Sequence, residues 1–223
     1  MRSVPTPTFS DLALAAYCPR KLYYRRREPD RSPPPDVEPV RDLAFRYPDL
    51  LDPGGRDRLA GAPIDVTPTQ YRANLGRARA RLDAWEQLAH PPARDVYLEG
   101  RTSRGVAHKV LDSPLAPSIV SPGRPPPEGV WRPQVVRAVA AAKALSWERE
   151  TPVERAFVEY AAHGVIREVR LTTRRKAAYR LALRTARSID GPPPRLHDEA
   201  KCGACEYRAE CGVRTRTLRS LLG

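Results

Sequence analysis

Residues 202–211 read Cys-Gly-Ala-Cys-Glu-Tyr-Arg-Ala-Glu-Cys, so Cys202, Cys205 and Cys211 fall within ten positions near the C-terminal end. A Cys-x2-Cys pair brings two thiolates to one centre, and a third cysteine six residues on closes another side. The fourth ligand has to come from afar, and Cys18 is the one cysteine left in the sequence. Four thiolates hold either an iron–sulfur cluster or a zinc ion, and spacing alone does not separate the two. Either group closes a loop of more than 180 residues and restricts the unfolded chain strongly.

Working outward from the two ends, the periodicity predicts helices, then strands, a helix, strands and a helix. Ser10 is placed to cap a first helix whose apolar positions are Leu12, Leu14, Tyr17, Leu22 and Tyr23, with a break at Cys18-Pro19. Residues 29–39 read as a Pro-rich loop and Val40 to Leu51 as a short helix. Residues 68–89 read as one long helix, with Tyr71, Leu75, Ala78, Leu82 and Trp85 recurring at spacings of three and four. Beyond His90-Pro91-Pro92 the period changes. Val96–Glu99, Gly105–Leu111 and Ser118–Ser121 read as strands, Arg132–Trp147 as a helix, and Val153–Tyr160 and Val165–Thr172 as strands joined by a His163-Gly164 turn. A last helix runs from Thr173 to Ile189 and ends before Pro192–Pro194. The expectation is an α/β fold with a mixed sheet flanked by helices, as one domain over 1–223. Its parts are a helical section (1–95), an α/β core (96–190) and a cysteine-rich segment (191–223).

The formal net charge is +13, and only five of the 39 basic residues are lysine. Arginine binds phosphate bidentately and stacks on bases, so the balance points to a nucleic-acid partner. Tyr17, Arg20, Lys21 and Arg25–Arg27 interleave aromatic and basic residues beside Cys18, a workable single-strand surface. Arg174, Arg175, Lys176 and the tail residues Arg214, Arg216 and Arg219 extend that expectation. No stretch reaches the roughly 18 apolar residues of a membrane span, and no signal peptide is evident. The expected location is the cytoplasm, where cysteines are metal ligands more often than disulfides.

The stretch around Cys18, FSDLALAAYCPRKLYY, together with Cys202, Cys205, Tyr207 and Cys211, resembles the CRISPR-associated, RecB-like exonucleases of the Cas-four family, which are similar to the nuclease domain of Dna-two-type helicases. In that family one N-terminal cysteine precedes Pro-Arg-Lys, and a CxxCxYxxxC run near the other end supplies three more. The resemblance implies that Cys18, Cys202, Cys205 and Cys211 bind a [4Fe–4S] cluster. It also implies a PD-(D/E)XK nuclease core, DNA as partner, and association with CRISPR adaptation (antiviral defence) or DNA repair proteins.

The same resemblance implies a catalytic set of a helix histidine, a Gly-x-x-Asp strand, a Glu-x-Lys strand and a helix glutamine. The carboxylates would hold Mn²⁺ or Mg²⁺, which activates water. Here Gly105-Val106-Ala107-His108 puts His108 where the aspartate belongs, and the Glu-x-Lys positions fall on Ser121 and Gly123. No histidine lies between 19 and 89, and Phe45 or a neighbour takes that place. Only Gln134 is retained. Without carboxylates a hard cation has no ligands, so the expected function is DNA binding, to single strands or ends, without catalysis. The alternative expectation is a metal-dependent single-stranded DNA exonuclease whose site is rebuilt from His108 and Asp112 on one strand face, Glu99 on the preceding strand and Glu128 from the loop before Trp131, with Lys109 facing away.

Overall fold

In the computed structural model of the protein the described residues are 5–28, 32, 34–35, 37–196 and 198–212. The chain opens with α1 (Phe9–Tyr17), whose N-cap is Thr8 rather than Ser10: the Thr8 hydroxyl accepts from the Asp11 N–H at 3.0 Å. Cys18 is extended (φ −157°) and Pro19 opens α2 (Pro19–Arg25), as the Cys-Pro break predicts. Short helices follow: α3 (Val37–Leu43), α4 (Tyr47–Leu51) and α5 (Gly55–Ala60). The predicted helix over Val40–Leu51 is thus two helices broken at Ala44–Arg46. α5 begins at Gly55, directly after Pro53-Gly54, where the sequence pattern predicts no helix.

The predicted long helix over 68–89 is also two, α6 (Pro68–Arg81) and α7 (Trp85–Ala89). Leu82 takes an extended conformation, and Asp83 receives both Arg155 amino groups, at 3.0 and 2.8 Å. That bidentate contact holds the break against α6 continuing. Trp85 then stacks on Tyr47, with ring centroids 6.1 Å apart.

The five strands are β1 (Ala93–Glu99), β2 (Arg104–Asp112), β3 (Leu115–Ser121), β4 (Arg155–Tyr160) and β5 (Val165–Arg170), in the spatial order β1-β2-β3-β4-β5. All neighbours are antiparallel except β3 and β4. A parallel pair needs a crossover, and α8 (Arg132–Glu148) supplies it. The β4–β5 connection turns at Gly164, φ +61°, where an added Cβ would sit 2.9 Å from the Tyr71 carbonyl oxygen. The left-handed conformation and the close approach both require glycine. α9 (Thr173–Ser188) and α10 (Glu199–Gly203) follow.

The sheet is covered on both faces. One core packs α1, α8 and α9 against Ala107, Val110, Ile119, Val158 and Val169. The second packs α4, α6 and α7 against Leu111, Ala116, Val120 and Phe157. Burying each large apolar side chain contributes about 1.5–3 kcal/mol. The observed architecture is α/β, a five-stranded mixed sheet flanked by helices. Among the described residues no helix is long and apolar enough to cross a membrane.

Candidate functional site

The two ends of the chain meet beside the α1–α2 junction. Cys18, Cys202, Cys205 and Cys211 line one cavity, walled by Tyr17, Tyr24, Tyr207 and Leu196. All four are free thiols of intermediate burial, and the Cys202 thiol reaches the Leu196 carbonyl at 3.7 Å. Sequence spacing predicts this gathering. Among the described residues no group of three or more His, Cys, Asp or Glu side chains is arranged to hold a metal ion. All four cysteines line the same cavity.

The residues around the ring tie it shut. Tyr24 stacks on Tyr207 at 5.6 Å, and its hydroxyl donates to the Glu210 carbonyl at 3.0 Å. The Tyr207 hydroxyl donates to the Glu28 carboxylate. Burial and that carboxylate push the phenol well above its ordinary range. Arg20 donates to the Pro193 carbonyl at 2.7 Å, and Lys21 pairs with Glu206 at 3.1 Å. Cations also face the thiols: Arg20 lies against Cys211 and Lys201 against Cys18. By donor type, four thiols around one cavity suit an iron–sulfur cluster or a zinc ion.

The basic stretch read as a single-strand surface does other work in the fold. Arg20 and Lys21 bridge to the C-terminal segment. Arg25 pairs with Glu28, and Arg26 donates to the Ala186 carbonyl at 2.7 Å. Arg27 covers the Tyr23 ring at 3.7 Å. Tyr17 lies between Lys21 and Lys201, whose amines are 5.9 and 5.6 Å from its ring centre. His197, Arg214, Arg216 and Arg219 lie outside the described residues.

His108 lies mid-strand in β2 and is buried. Its Nδ1 accepts the Val120 N–H from β3 at 3.0 Å, so the neutral ring carries its proton on Nε2. The strand is irregular here. Ala107 and Val110 enter the same core although three residues apart, which a period of two forbids. Opposite them the β1 pairing skips Asp95, whose φ is +48°. Burial, with Arg137, Arg41 and Lys109 nearby, pulls the imidazole down to about 3. Burial also lowers Arg137 to about 10, which leaves it cationic at neutral pH.

This surrounding is positive, and it does not suit a divalent cation. Ser121 is buried at the end of β3, a Cβ added at Gly123 would lie 3.8 Å from the Ser121 hydroxyl, and the retained Gln134 has a buried Oε1 with no partner among the described residues. Phe45 follows α3 and lies under the Arg94 guanidinium at 5.0 Å.

The rebuilt carboxylate site is not assembled. Glu99 pairs with Arg104 at one end of β2, and Asp112 is exposed at the other end. Eight residues of strand separate those ends, roughly 26 Å at about 3.3 Å per residue. The Asp112 backbone N–H donates to Gln87, and Glu128 lies in a groove beside α9.

Lys109, next to His108 on β2, builds a centre that the sequence does not anticipate. It is fully buried, and its ammonium donates to the Ala44 and Leu88 carbonyls, each at 2.6 Å, and to Glu159 at 2.7 Å. The Ser118 hydroxyl donates to the other Glu159 oxygen at 2.5 Å. The Tyr47 ring lies 4.6 Å from the ammonium. Burial lowers the Lys109 amine, opposed by Glu159. The visible signal was a charged residue inside each of two otherwise apolar strands, GVAHKVL and AFVEY. Closed to solvent, this centre joins the sheet to the ends of α3 and α7.

Comparison with protein-family models gives no match, and comparison with curated proteins gives none either.

Proposed function

We propose that this chain is a RecB-like iron–sulfur protein that binds DNA, as single strands or ends, without cutting it. The observation that carries the reading is the gathering of Cys18, Cys202, Cys205 and Cys211 around one cavity. Four thiols in a ring are the donor set of a [4Fe–4S] cluster, in which each thiolate binds its own iron. The cluster would act as a clasp: with four protein ligands no open position is left for chemistry at iron. The strand order supports the PD-(D/E)XK assignment, since three antiparallel strands are followed by a helix and a strand parallel to the third. The charge of +13 supports a polyanionic partner. The polyanionic partner in this reading is DNA, and the resemblance adds proteins of CRISPR adaptation or DNA repair.

Lack of cleavage follows from His108. A neutral imidazole among Arg41, Arg137 and Lys109 holds no Mg²⁺ or Mn²⁺. The test is a cleavage assay with anaerobically prepared protein, labelled single-stranded DNA and Mn²⁺, with binding recorded on the same samples. Binding without cutting is the expected result. Cleavage abolished by Asp112→Ala would establish the exonuclease reading instead.

A further inference from the structure

A groove of about 970 Å³ runs between the N-terminal ends of α8 and α9, on a part of the surface that neither the cysteine ring nor His108 uses. Its floor is apolar, formed by Val130, Val135, Ala177, Ala178 and Leu181. Its rim is arginine: Arg132, Arg170, Arg174, Arg175 and Arg184, with Glu128 as the one acidic residue lining it. Two long helices point their positive ends into this space, α8 with 17 residues and α9 with 16. Trp131 gives α8 no side-chain cap; Pro133 carries no N–H, so Arg132 and Gln134 supply the uncapped N–H groups of the first turn.

Leu181 lines the groove and is 45% exposed, and Trp131, between the lining residues Val130 and Arg132 in sequence, is 50% exposed. The indole is held in place by donating to the Arg124 carbonyl at 2.8 Å. Arg175 donates to the Arg170 carbonyl at 2.9 Å, which fixes the rim on that side. Among the described residues, Arg132, Arg174 and Arg184 form no ion pair, so their guanidinium groups face solvent uncompensated.

We infer that this groove carries a single strand of nucleic acid, with phosphates along the arginine rim and a base against Leu181 and Trp131. The inference rests on the DNA-binding reading above and gives it a location. Arginine at every cationic rim position favours phosphodiester, which takes the planar fork bidentately. An exposed indole beside the cations supplies the stacking surface that single-strand sites use.

The experiment measures binding of a labelled single-stranded oligonucleotide to the full chain by anisotropy, across a salt series. Wild type is compared with the double variant Arg174→Glu/Arg184→Glu; both positions are exposed, so the fold should tolerate the change. The expected result is at least a tenfold loss of affinity. The slope of log affinity against log salt should also become shallower by about 1.4, for two phosphates at about 0.7 each. Indole fluorescence should be quenched by the oligonucleotide in wild type and not in Trp131→Phe, a readout that stands if the arginine variant folds poorly. Equal binding by wild type and variant would overturn the groove assignment while leaving DNA binding intact. Absence of binding by wild type at low salt would overturn both. Displacement of the oligonucleotide by polyglutamate of equal charge and at equal potency would assign the groove to an acidic protein segment, against the inference.

Discussion

Tyr24 and Tyr207, 183 positions apart, stack with ring centroids 5.6 Å apart, and that contact closes the N-terminal helices onto the cysteine-rich segment. Tyr207 is buried and also donates to Glu28. Tyr207→Ala should cost about 3 kcal/mol, the usual range for emptying a buried aromatic site. It should also expose residues 193–212 to protease. Chemical denaturation and limited proteolysis check the two effects separately.

Cys18→Ala and Cys205→Ala test the clasp from the metal side. Each should lose the brown chromophore and melt lower than wild type, because a removed cluster frees a loop of more than 180 residues. A variant as stable as the parent would contradict the clasp.

His108 predicts a pH dependence with a definite sign. Its folded value is about 3 against an ordinary 6.5, so below 6.5 the unfolded chain binds a proton that the folded chain excludes. Stability is therefore complete above about pH 6.5 and falls as the pH drops towards 3, by up to about 1.4 kcal/mol per unit. His108→Asn keeps an acceptor for the Val120 N–H without titrating. Between pH 6.5 and 5 the variant should lose less stability than wild type, by up to about 2 kcal/mol, in paired thermal melts.

Lys109→Met should be the costlier change at the sheet. It leaves the buried Glu159 carboxylate without its cation and removes the donor from the Ala44 and Leu88 carbonyls. Breaking one partner of a buried pair costs about 3–5 kcal/mol. The double variant Lys109→Met/Glu159→Leu should lose less than the two single losses combined, measured as a double-mutant cycle.

Millimolar Mn²⁺ or Mg²⁺ should leave the melting temperature unchanged. A cation bound at one hundred times its dissociation constant would stabilise by about 2.7 kcal/mol. A clear upward shift would show a cation site that the His108 surroundings do not provide.

Much of the fold was legible because strand and helix periods are strong here. Strands around 96–121 and 155–170, the helix over 132–147 and the Gly164 turn follow from local pattern. The joins were not legible. The break between α6 and α7 depends on Asp83 meeting Arg155, 72 residues away, and local apolar spacing runs straight through it. The cysteine ring was readable because each ligand type is rare in the sequence. The role of Lys109 was not legible, because its partners Ala44, Leu88 and Glu159 are far apart in sequence and only folding brings them together. The arginine groove was signalled only in part, by Arg174 and Arg175. Its other wall comes from the start of α8, far away in sequence.

The most direct test of the clasp is iron, sulfide and zinc analysis of anaerobically purified protein, with its absorption spectrum. The account predicts about four iron and four acid-labile sulfide per chain, with a broad visible band that bleaches on reduction. Stoichiometric zinc, or no metal at all, would contradict it.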